Sequence, residues 1–175
     1  MLFRTGNKEA QVWHRFRPAS DGFTFTQTDD YYEAHVAATA ERVVDLFHAL
    51  MEHLPPAVDA AIDDLRTGRV WTGEAIALPD LRDAIARLKV PLATYGGVEF
   101  SAYTPEDQLT LTADLELYAY SRSDRWAYLL QARGLEEYGA IADKPWRIGS
   151  WDRAPAPLLT DALTAAAERL GLTSA

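Results

Sequence analysis

The stretch that decides the fold is Leu109-Thr110-Leu111-Thr112-Ala113-Asp114-Leu115-Glu116-Leu117-Tyr118-Ala119-Tyr120, followed by Ser121-Arg122-Ser123-Asp124 and then Arg125 to Arg133. Apolar and polar residues alternate through its first twelve positions, the period of a strand with one face in a core. Leu109, Leu111, Leu115, Leu117 and Ala119 fall on one side, and Thr110, Thr112, Asp114, Glu116, Tyr118 and Tyr120 on the other. Ser121 to Asp124 has turn composition, so Arg125 to Arg133 is expected to return as a further strand. If the loop has an odd number of residues, that register sets Tyr120 near Trp126 and Tyr118 near Tyr128.

Upstream, Val98 to Tyr103 alternates as well, and Thr104-Pro105-Glu106-Asp107 suits a turn because proline pre-sets its second position. Together these segments predict a C-terminal three-stranded antiparallel meander. Working outward, period-two runs also occur at Val12–Arg17, Phe23–Gln27 and Tyr31–Ala37. Val58 to Leu65 reads as a strand returning through Arg66-Thr67-Gly68-Arg69 into Val70–Ile76, although a helix over 57–66 fits the apolar spacing too. Helical spacing is plainest after Thr39, an N-cap by type, where Val43, Val44, Phe47, Leu50, Met51 and Leu54 form one stripe and Pro55-Pro56 ends it. A short helix is expected from Pro79 to Pro91, and a last one over Leu158–Leu170 with Gly171 as its cap.

Strands and helices thus intermix without a βαβ rhythm. The sequence predicts a single α+β domain over residues 1–175: a mainly antiparallel sheet of five or more strands packed by two or three helices.

Composition limits the chemistry. With 175 residues, 48% of them hydrophobic and none of them cysteine, the chain can bury a core but has no disulfide, thiolate metal site or Cys nucleophile. The segment Met1–Lys8 lacks the apolar run of a signal peptide, and no apolar stretch approaches membrane-spanning length, so a cytoplasmic protein without a membrane partner is expected. A formal charge of −9 disfavours nucleic acid and suits either simple solubility or a basic protein or peptide partner.

Motifs for catalysis are missing. His14, His35, His48 and His53 include no i, i+4 pair, and His48 and His53 would lie about 140° apart on their helix, so no metal is expected. There is no Gly-x-Ser-x-Gly, and Gly96-Gly97 lacks the Lys-Ser/Thr of a phosphate loop. The doublets Asp29-Asp30 and Asp63-Asp64 would point to opposite faces of a strand. No cofactor is implied, and the balance leans away from an enzyme.

Two groups remain as candidate partner-binding residues. Asp114, Glu116, Tyr118, Tyr120, Trp126 and Tyr128 would form an aromatic surface ending in carboxylates, attractive to cations, unless a helix or the proline-rich segment covers them as a second core layer. Trp146 and Trp151 sit in an irregular stretch, Lys144 to Arg153, that reads either as a recognition loop or as a segment pinned by its indoles. The expected function is therefore a non-catalytic binding domain for a protein or peptide. Its alternatives are a small-molecule binder or enzyme with an aromatic pocket and a carboxylate base, or a structural homodimer; the chain itself is read as monomer or homodimer.

Overall fold

A computed structural model describes residues 21–140 and 155–174. The strand expected at Val12–Arg17 and the Lys144–Arg153 segment, with Trp146 and Trp151, lie outside these described residues.

The strands are β1 (Gly22–Gln27), β2 (Tyr32–Ala37), β3 (Ala57–Asp64), β4 (Arg69–Ala77), β5 (Val98–Tyr103), β6 (Asp107–Leu111), β7 (Leu117–Ser121), β8 (Glu136–Glu137) and β9 (Thr173–Ser174). They form one sheet in the order β8-β1-β2-β7-β6-β5-β3-β4-β9. The helices are α1 (Ala40–Leu50), α2 (Leu78–Tyr95), α3 (Arg125–Ala132) and α4 (Pro157–Leu170).

The α+β class holds, with three corrections. The sheet is mixed rather than simply antiparallel, because β8 joins the edge strand β1 in parallel at Gly22 and Phe23. The described helices number four, not two or three. The expected meander does not form as drawn. Residues 112–116 break the long strand, where Leu115 takes φ 59° and the Thr112 N–H donates to the Glu116 carbonyl at 2.8 Å. The alternation conceals this turn because Ala113 and Leu115 are themselves buried within it.

Arg125 to Ala132 is a helix, not a returning strand. Trp126 and Leu130 stand four apart, which puts them on one face in either conformation, so their spacing cannot discriminate. Ala127 decides it: this residue is buried beside Trp126 while Tyr128 is 65% exposed, the pattern of a helix and not of alternation.

Elsewhere, local signals hold. Thr39 caps α1, its hydroxyl accepting from the Arg42 N–H at 3.4 Å, and Gly171 ends α4 in the left-handed region at φ 66°. Residues 57–64 are a strand, with Val58, Ala60 and Ile62 on its buried side as the alternation implies. Pro91 does not stop α2, which runs on to Tyr95. Leu92 and Ala93 in its last turn are buried, so packing overrides the missing hydrogen bond.

All four helices contribute to one core. Phe23, Ala34, Val36, Leu117, Ala119, Leu109, Leu111, Phe100, Ala102, Ala60 and Ile62 supply the sheet side, against Phe47, Leu50, Leu81, Ile85, Leu88, Trp126, Leu159 and Leu163. The intervening strand residues project to the opposite face, on which none of the described helices packs.

Candidate functional site

That second face can be read off the strand registers. One row across it runs Thr24, His35, Tyr118, Thr110, Ser101, Ala61 and Thr72. The next runs Thr26, Glu33, Tyr120, Gln108, Tyr103 and Asp59. Beyond the first row, Asp63 and Glu99 stand opposite one another on β3 and β5. Glu116, immediately before β7, reaches the His35 ring, with Oε2 3.3 Å from Nε2.

Aromatic rings line the middle of this face. His35 stacks on Tyr118 with centroids 4.3 Å apart and planes 4° from parallel. Tyr118 stacks on Tyr120 at 6.2 Å, and Tyr120 meets Tyr31 edge to face at 5.7 Å. The row thus reads Tyr31, Tyr120, Tyr118, His35, ending on the carboxylate of Glu116 (6% exposed). At the other end, Glu33 stands opposite Tyr120 on β2, and burial first, then the Glu33 charge, push the pKa of the Tyr120 hydroxyl up to about 12. It remains a donor throughout the physiological range.

The carboxylates are packed closely enough to influence one another. Burial, and secondarily the charge of Asp63, holds the Glu99 carboxyl above its ordinary range. Ser101 and Thr110 are buried and bonded to each other at 2.9 Å, and the Gln108 amide donates to Thr110 at 2.9 Å. The described strand positions of this face carry Glu33, Asp59, Asp63 and Glu99, joined by Glu116, and no lysine or arginine.

Where β5 and β7 end and β6 begins, the face falls into an open cleft of about 540 Å³. Tyr31, Tyr103, Tyr120, Gln108 and Pro105 line it, together with Asp30, Glu106, Asp107 and Arg122.

Of the residues the sequence singles out, the structure brings Glu116, Tyr118 and Tyr120 together, and leaves Asp114 nearby in the β6–β7 turn. Two expectations are overturned. Trp126 is fully buried in the core, its indole N–H donating to the Tyr120 carbonyl at 3.1 Å, so it presents no binding surface. Tyr128 is exposed, but on α3 rather than across from Tyr118.

The residues missed are Tyr31, Glu33 and His35, together with Asp63, Glu99 and Tyr103. The alternation of Tyr31–Ala37 does show Tyr31, Glu33 and His35 sharing a side. That β2 pairs with β7, some eighty residues away, has no local signal. Among the described residues no cluster of three or more His, Asp or Glu side chains could hold a metal ion, and no helix is long and apolar enough to cross a membrane. No family model matches the chain, and neither does any curated protein or solved structure.

Proposed function

We propose that this domain is a non-catalytic binding module that recognises a basic protein or peptide through the acidic, aromatic face of its sheet. One observation carries the reading: the described strand positions of that face hold carboxylates and tyrosines and no lysine or arginine. The helical side differs. There, Arg133 meets Glu52, Arg87 meets Asp83 and Lys89 meets Asp45, so charge is largely balanced within the protein. Carboxylates beside aromatic rings attract lysine and arginine by charge and by the ring quadrupole.

Titrating the full chain with a lysine- and arginine-rich peptide tests this. Asp63→Asn with Glu99→Gln is expected to weaken binding roughly fivefold or more. Asp80→Asn with Asp161→Asn, which removes the same charge from exposed positions on α2 and α4, is expected to leave binding nearly unchanged. Equal losses in the two double variants would mean attraction by net charge alone, and the reading would fall. The small-molecule reading has one observation in its favour, the cleft beside Tyr120.

A further inference from the structure

The cleft holds a narrower chemistry than the face around it. Tyr103 and Tyr120 occupy the same row on β5 and β7, with Gln108 of β6 between them. Two strand spacings put their backbones roughly 10 Å apart. Both side chains line the cleft, so a cation seated over Gln108 has an aromatic residue on either side of it. Tyr31, set at 70° to Tyr120, turns the pair into a corner, and Pro105 adds apolar wall. We propose that this cleft is a binding site for a quaternary ammonium group.

The argument for that class over a primary ammonium or guanidinium lies in the carboxylates. Of the described carboxylates that line the cleft, Glu106 pairs with Arg122 at 3.5 Å and Asp107 with Arg125 at 3.0 Å. A primary ammonium brings three N–H donors and a guanidinium five, each needing an acceptor once desolvated. A quaternary ammonium has none, and its charge is spread over methyl groups that pack against rings.

The pairing of Arg122 with Glu106 also offsets the one cation among the described residues lining the cleft, while Asp30 at the exposed rim adds negative charge. The volume, about 540 Å³, lies within the range of small-molecule sites.

The site stands or falls independently of the wider face. Calorimetry and NMR on the full chain with choline, and with its neutral tert-butyl isostere, provide the test. Choline is expected to bind at least about tenfold more tightly than the isostere and to shift the ring signals of Tyr31, Tyr103 and Tyr120. Tyr103→Leu is expected to weaken choline about fivefold or more with Tm unchanged; should that variant not fold, Tyr31→Leu on the exposed turn serves instead. Asp161→Asn, exposed on α4, is expected to leave choline binding as it is.

A peptide bearing trimethyllysine, compared with its unmodified form, identifies the source of the group. Tighter binding than choline means the ammonium is borne by a partner chain; weaker or equal binding means a free small molecule. No binding of either probe, equal binding of choline and isostere, or tyrosine variants that bind like the parent would overturn the proposal.

Discussion

Asp64 is fully buried, and its carboxylate accepts from the Arg66 N–H at 3.0 Å and the Thr67 hydroxyl at 2.8 Å. These bonds close the β3–β4 loop and present the Arg66 guanidinium to the carbonyls of Tyr95 and Gly96 at the end of α2. Asp64→Ala strands two donors and is expected to cost about 2–3 kcal/mol in urea unfolding. Glu99 gives the opposite sign. Its folded-state pKa is raised above the ordinary 4.5, so the folded protein favours the protonated form. That contribution to stability is present below about pH 4.5 and is lost as pH rises through the raised value. Glu99→Gln should therefore stabilise the protein at pH 7 by under ~1 kcal/mol, and the difference should vanish near pH 4.

Among the elements, α3 separates two readings of one sequence. Trp126→Ala empties a site at 0% exposure and is expected to cost about 3–5 kcal/mol, whereas Tyr128→Ala, at 65% exposure, should change stability by no more than about 0.5 kcal/mol. Comparable losses at both positions would argue for a strand. In α2, Pro91 removes the bond that position would donate to Arg87, while burial of Leu92 and Ala93 keeps the helix intact. Pro91→Ala is expected to raise stability by about 1–3 kcal/mol, read from the denaturation midpoint.

For the whole molecule, the two faces of the sheet divide the work. One supplies the core with all four helices, and the other gathers carboxylates and rings from strands far apart in sequence. Because exposed charges are screened beyond roughly 10 Å at 0.1 M salt, affinity for a basic peptide should fall steadily as salt rises from about 0.05 to 0.5 M. Choline, held by ring faces at short range, should lose much less over the same range, a contrast measurable in one calorimetric series.

Local physics was enough for the sequence to determine much of this protein. The strand at 23–27, the cap at Thr39, the stop at Gly171 and the leucine face of 109–119 rest on periodicity and backbone preference, which act within a few residues, whereas periodicity left 57–66 open between strand and helix. The tertiary structure decided what periodicity leaves ambiguous: the turn hidden at 112–116, the helix at Trp126 and the passage of α2 through Pro91, each settled by which side chains find a core to fill. It alone decided the site, because joining Glu33 and His35 to Tyr118 and Tyr120 depends on β2 lying beside β7, and strand order is fixed by burying the whole sheet at once rather than by any one segment.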